Sequence, residues 1–239
     1  MIIIPARLAS SRFANKVLAD ILGLPMVIKT ALAVKDLDDV AIATDSEEVV
    51  KVAKKYNINA IMTSASHQSG TDRINEAANI LGLGDDEIVV NVQADEPFIE
   101  PQIIATVIEK TKTIKNHRDF TMVSLCKQIS SELADDPNHV KVILDAKSDA
   151  IYFSRSKIPY NRDHHHDIQY FGHLGIYSFA KKSLNEFCAL GAAPLEHIEK
   201  LEQLRAIYNH KKIAMAIVES KSFGIDTEED LKKALEIFG

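Results

Sequence analysis

Between residues 7 and 16 the run RLASSRFANK sets Arg7, Arg12 and Lys16 among the small residues Ala9, Ser10 and Ser11, directly after the apolar opening MIIIPA. Two guanidiniums and an ammonium meet several phosphate oxygens at once, while small side chains let backbone N–H groups approach the same anion. A pair of unit charges about 4 Å apart at an effective dielectric of about 20 is worth roughly 4 kcal/mol before desolvation, so three cations offset much of what a polyphosphate loses on leaving water. The run contains neither G-x-G-x-x-G nor G-x-x-x-x-G-K-[ST], which separates it from the dinucleotide fingerprint and the Walker loop. The second candidate group is NVQADEP (91–97), an apolar strand pattern that ends in Asp95 and Glu96. A carboxylate at a strand's C-terminal end is the hard oxygen ligand that Mg²⁺ takes one or two at a time. Asp226, in FGIDT, is a second such carboxylate. Helix capping is its alternative role, although Thr227 with Asp230 three residues on already reads as an N-cap pair.

To converge, these groups need a scaffold, and its elements are visible as alternating periods. Strand-like runs at 1–5, 40–44, 60–63 and 87–92 alternate with helix-period segments near 25–36, 46–56 and 72–82, and a further helix enters through Pro101. This predicts an α/β fold with a largely parallel sheet covered on both faces, where ligands bind beyond the C-terminal strand ends. From about 119 to 180 the pattern turns β-rich: FTMVSLC (120–126), VKVIL (140–144), AIYFS (150–154) and HLGIYSF (173–179), with VKVIL and AIYFS joined by the turn-forming DAKSD as an antiparallel hairpin. Helices near 181–189, 195–209 and 228–237 and a strand at 213–218 complete the chain. No repeat or linker divides it, so residues 1–239 read as one domain carrying a β-rich insertion.

Composition narrows the partners. The 28 Lys and Arg against 34 Asp and Glu give a net charge of −6, which leaves no basic field for nucleic acid or an anionic bilayer. Cys126 and Cys188 stand in apolar surroundings without metal-ligand spacing, which points to a reducing cytoplasm. Neither a signal peptide nor a membrane span is expected. The His164-His165-His166 run lies between Asp163 and Asp167 and reads as a solvated surface loop rather than a metal tract.

Six ordered segments, IPARLASSRFANK, HQSGTDR (67–73), NVQADEP, HLGIY (173–177), PLEHIEKLEQLR (194–205) and GIDTEEDL (224–231), resemble those of the 3-deoxy-manno-octulosonate cytidylyltransferases, the CMP-Kdo synthetases of lipopolysaccharide biosynthesis. The resemblance runs nearly end to end. It implies a three-layer α/β/α nucleotidyltransferase fold and Mg²⁺-dependent transfer of a cytidylyl group from CTP to the acid sugar Kdo, with release of pyrophosphate. It also implies a cytoplasmic homodimer in which 119–180 contributes to the sugar site and the dimer contact. Position by position, it assigns Arg7, Ala9, Ser10, Arg12 and Lys16 to the triphosphate, Gln93 to the nucleotide, and Asp95 and Asp226 to magnesium. Lys16, Arg12, Asp95 and Asp226 then carry the catalysis. Arg73, Arg162, His173, Tyr177, Glu202 and Gln203 fall at or near the sugar-acid pocket, with Arg162 the first choice for the sugar carboxylate and Arg73 the second. Their structural alternatives are a core strand face for His173 and Tyr177, and a solvated helix face for Glu199, Glu202 and Gln203.

Two departures from the family pattern stand out: Ala14-Asn15-Lys16 where it usually reads P-G-K, and Gln93-Ala94-Asp95 where it reads Q-G-D. Asn is the residue after Gly that best tolerates positive φ, so the first departure preserves a turn. The second puts a methyl beside the nucleotide and bears on base selectivity. The rival readings are a CMP-sialic acid synthetase, a neutral-sugar pyrophosphorylase, which needs no arginine for a sugar carboxylate, and a non-catalytic nucleotide-binding regulator, which need not keep Lys16 and both carboxylates. Residue types alone do not separate Kdo from an amino-substituted Kdo.

Overall fold

A computed structural model describes residues 1–8, 13, 15–117, 119–163, 165 and 167–239. The chain begins with β1 (Ile2–Ala6). After a 3-10 turn over Lys16–Leu18 comes the small hairpin β2 (Asp20–Ile21) and β3 (Leu24–Pro25), then α1 (Met26–Val34). The alternation continues with β4 (Val40–Thr44), α2 (Glu47–Lys55), β5 (Asn59–Met62), α3 (Gly70–Ile80), β6 (Ile88–Asn91) and α4 (Pro101–Ile114). Next come β7 (Phe120–Ile129), α5 (Ser131–Asp135), β8 (Lys141–Leu144), β9 (Ala150–Ser154) and β10 (Tyr170–Ala180). The chain closes with α6 (Lys181–Ala189), α7 (Pro194–Glu199), α8 (Leu204–Tyr208), β11 (Lys212–Ile217) and α9 (Glu228–Phe238).

The main sheet runs β11–β7–β10–β6–β1–β4–β5. Strands β5, β4, β1 and β6 pair in parallel, and so do β11 and β7; β10 is antiparallel to both β6 and β7. The sheet is therefore mostly parallel, as expected. Period-two alternation on β1 divides the core: Ile2, Ile4 and Ala6 pack on one face with Val27 and Ala31 of α1 and Ile103 and Val107 of α4, whereas Ile3 packs on the other with Ile74 and Ala77 of α3 and Leu184 and Phe187 of α6. Both faces are thus covered by helices, and the architecture is the three-layer α/β/α sandwich expected. Of the β-rich stretch 119–180, β7 and β10 lie within the main sheet, while β8 and β9 form an antiparallel hairpin attached to β10.

Local differences from the sequence reading have identifiable causes. The expected helix over 195–209 is two helices, because Lys200 adopts φ 55°, ψ 46° and turns the segment 201–203 inward, burying Leu201 and Gln203. The hairpin β2–β3 is an addition to the expected elements: Leu22 and Gly23 both take positive φ, the geometry of a tight hairpin turn, but Leu-Gly is a weaker signal for it than Asn-Gly. The short α5 is a second addition. Asn15 does take the left-handed conformation, φ 52°, ψ 30°, that the missing glycine suggested. Thr227 caps α9 as expected, accepting from the Asp230 N–H while the Asp230 carboxylate accepts from the Thr227 N–H.

Candidate active site

A cleft of about 320 Å³ opens at the C-terminal ends of β1 and β6, the edge where an open α/β sheet places its ligand. Pro5 and Arg7 enter it from β1 and the residue following that strand, and Gln93, Ala94 and Asp95 from the turn after β6. Ser69, Gly70 and Arg73 come from the start of α3, His67 and Gln68 from the loop before it, and Lys16, Val17 and Asp226 complete the wall. Glycine at 70 is what lets α3 begin so close to β1, since a Cβ there would stand 3.2 Å from Pro5 Cγ. Thr30 of α1 fixes the other side, its hydroxyl donating to the Ala94 carbonyl at 3.0 Å.

Three residues far apart in sequence meet at the mouth. The Lys16 ammonium donates to Asp95 Oδ2 at 2.6 Å and to Asp226 Oδ1 at 2.8 Å. Burial works against its charge, but the two carboxylates outweigh burial and raise its pKa. Asp95 and its neighbour Glu96 differ in exposure. Asp95 lines the cleft, whereas Glu96 is buried, has one carboxyl oxygen without a partner, and is pushed up to about 8 by burial and then by the Asp95 charge. Arg73 is 3 % exposed; its guanidinium donates to Thr63 Oγ1 at 2.7 Å and to Asp45 Oδ2 at 2.8 Å. His67, also on the cleft wall, is bonded to Glu76. The sequence reading gives no role to His67, Ser69 or Gly70, although HQSGTDR contains all three.

The other residues assigned to the sugar pocket do not line this cleft. His173, Tyr177, Glu202 and Gln203 are brought together behind the first turn of α3 and are not among the lining residues of the cleft. Thr71 donates to Glu202 Oε1 at 2.5 Å, and burial raises the Glu202 pKa. Tyr177 donates to Gln203 Oε1 at 3.1 Å, and the Gln203 amide lies 3.4 Å from His173 Nδ1. His173 Nε2 is 2.8 Å from Ser124 Oγ, which itself donates to the Ile176 carbonyl at 2.8 Å. In that chain the amide donates to Nδ1 and the ring donates from Nε2, an arrangement only a neutral imidazole satisfies. Gln93 is tied to the same strand, donating to the Gly175 carbonyl at 3.4 Å where β10 bulges. Arg162 is exposed in the turn region between β9 and β10 and does not line the cleft. Glu199 accepts from Ser154 Oγ and the Arg155 N–H and so ties α7 to β9. Ala9, Ser10 and Arg12 lie outside the described residues, as do His164 and His166; His165 is exposed.

Burial pushes the His173 pKa down to about 3, from an ordinary value of 6.5. Below about 6.5 the unfolded chain takes up a proton there that the folded chain refuses, so His173 makes stability fall as pH drops toward 3. His173→Gln is expected to flatten that dependence, by up to about 1.4 kcal/mol per pH unit. Urea melts across the window measure it, and an unchanged slope would mean that the folded protein accommodates the imidazolium.

Two carboxylates side by side suit Mg²⁺, which draws its remaining oxygens from phosphate and water. Among the described residues no cluster of three or more His, Cys, Asp or Glu could hold a metal ion by itself. No helix among them is long and apolar enough to cross a membrane.

A cation-walled cleft at the carboxyl edge of a mostly parallel sheet, with two carboxylates on the same wall, is the layout of a nucleotidyltransferase. Comparison with known proteins narrows the class. Residues 1–213 match the family model described as cytidylyltransferase. A 3-deoxy-manno-octulosonate cytidylyltransferase of a Nitratiruptor species is 57 % identical over 233 residues, covering 98 % of this chain and 97 % of that one. The protein of the same name from Wolinella succinogenes is 51 % identical over 243 residues, covering 100 % and 99 %. The solved structure of CMP:2-keto-3-deoxy-manno-octonic acid synthetase complexed with CTP superposes with a TM-score of 0.89 at 36 % identity, covering 99 % of this chain and 96 % of that one. The chain belongs to the 3-deoxy-manno-octulosonate cytidylyltransferase family.

Proposed function

We propose that the protein transfers the cytidylyl group of CTP to the 2-hydroxyl of 3-deoxy-manno-octulosonate, forming CMP-Kdo and pyrophosphate. The observation that carries this reading is the full-length likeness to proteins of that name, 57 % identical across 98 % of the chain. The cleft adds a chemical reason, because Arg7 and Lys16 stand on its wall as cations for a triphosphate.

The sugar hydroxyl attacks the α-phosphorus in line and pyrophosphate leaves, so no protein nucleophile is required. Asp95 and Asp226 would hold Mg²⁺, which when bound neutralises phosphate charge and lowers the pKa of the attacking hydroxyl. Lys16 and Arg7, with Arg12, hold the phosphate chain and stabilise the charge that builds on the leaving group. Arg73, the second guanidinium on the cleft wall beside Arg7, takes the sugar carboxylate, which without a cation would cost several kcal/mol to desolvate. The reaction runs in the cytoplasm, where CTP is available, and the enzyme works as a homodimer. Leu133, Ile151 and Tyr160 are large apolar side chains left exposed within 119–180, and self-association would cover them.

Pyrophosphate release measured across the four nucleoside triphosphates and a panel of sugars tests the reading. CTP with Kdo is expected to turn over fastest, an amino-substituted Kdo bounds the sugar specificity, and light scattering on the same sample is expected to report a dimer. Comparable turnover with a neutral hexose 1-phosphate, or with UTP as with CTP, would overturn the assignment.

A further inference from the structure

Asp226 reaches the cleft on the segment 218–226, which leaves the sheet after β11. The parallel ladder between β11 and β7 ends with the pair Ile217 and Cys126, and Val218 adds one more bond, its N–H donating to the Cys126 carbonyl at 2.9 Å. The next residue on β7 is Lys127. Its ammonium reaches across and donates to the Ser220 and Ser222 carbonyls, both at 3.0 Å, taking over where the backbone ladder stops. Glu100, beside the start of α4, holds the opposite polarity of the same loop, accepting from the Ser220 hydroxyl and from the Lys221 N–H at 3.2 Å. Farther along, the Ile225 N–H donates to the Asp95 carbonyl at 2.9 Å, and the Ile225 side chain is fully buried. The next residue is Asp226, which shares Lys16 with Asp95.

We propose that Lys127 is a positioning residue of the cleft: by gripping the Ser220 and Ser222 carbonyls it sets where the Asp226 carboxylate stands relative to Asp95. An ammonium suits this task because it offers several donors to a loop whose carbonyls have run out of strand partners, and its position on the rigid β7 transmits the geometry of the sheet. Lys127 is not among the residues lining the cleft; it acts through Asp226. The inference rests on the reading of Asp95 and Asp226 as the metal carboxylates.

The test is a titration of the Mn²⁺–CTP complex against intact protein, followed by water-proton relaxation, with kcat and KM measured alongside. Lys127→Met is expected to weaken Mn²⁺–CTP binding and lower kcat by about tenfold, to leave KM for Kdo within about twofold, and to be partly rescued by Lys127→Arg. In an Asp226→Asn background the same change is expected to do nothing further to Mn²⁺–CTP affinity, since residues acting in series are not additive. Glu100→Gln loosens the same loop from its other side and is expected to show the same signature, which keeps the test available should Lys127→Met fold poorly. Unchanged Mn²⁺–CTP affinity in both loop variants, or a full further loss in the Asp226→Asn background, overturns the proposal. If Asp226→Asn itself binds Mn²⁺–CTP like the wild type, the metal reading fails first and takes this inference with it.

Discussion

Asp95→Asn is expected to lower kcat by at least about 10²-fold, some 2.7 kcal/mol of barrier, with the fold intact. The change is isosteric and removes one anionic oxygen donor from the cleft mouth. It also weakens the ion pair that holds Lys16 at 2.6 Å, so the phosphate cation loses one of its two anchors. Asp226→Asn is expected to show the same direction and a similar size, because its carboxylate does both jobs from the other side of Lys16. Raising Mg²⁺ should recover part of the loss in either variant, since mass action offsets a weakened site without restoring the Lys16 contact. Steady-state turnover as a function of Mg²⁺, with a thermal melt to verify folding, measures both. Near-wild-type kcat for Asp226→Asn at saturating Mg²⁺ would reduce that residue to a neighbour of the α9 cap.

The second large effect concerns the sugar. Arg73→Met is expected to raise KM for Kdo strongly and to leave KM for CTP little changed. It also strips the half-buried Asp45 of its ion-pair partner and Thr63 of a donor, so the melting temperature should fall as well. Arg73→Lys separates the two consequences: it keeps a cation on the cleft wall but loses the fork that reaches Thr63 and Asp45 together, and is expected to fall between wild type and Arg73→Met. Arg162→Ala provides the contrast, because Arg162 is exposed and away from the cleft. Paired titrations in Kdo and CTP decide the matter. A folded Arg73 variant with unchanged KM for Kdo, beside an Arg162→Ala with a raised one, would move the carboxylate site to Arg162.

Much of this protein is legible without coordinates, where the signal is local. The apolar runs of β1, β4 and β6 are nearly continuous because both faces of those strands are buried, and the helices between them carry a 3.6-residue stripe; periodicity reports such features directly. The α9 cap and the β8–β9 hairpin are readable for the same reason, since each is set by residues within a few positions of one another. Lys16, Asp95 and Asp226 can be named as candidates because each lies in a connection that follows a strand, and such connections face the ligand edge of the sheet. Their meeting cannot be read. Lys16 is 79 residues from Asp95 and 210 from Asp226, and only the strand order that places β6 next to β1, together with the loop gripped by Lys127 and Glu100, brings the three within hydrogen-bond reach. Tertiary structure likewise decided that Arg73 rather than Arg162 stands on the cleft wall, that Glu96 is buried while Asp95 lines the cleft, and that Lys200 breaks a helix whose period looked continuous. Each depends on what another part of the chain presents, such as Asp45 and Thr63 to a guanidinium or Thr71 to Glu202, and a residue's own neighbours in sequence carry no record of that partner.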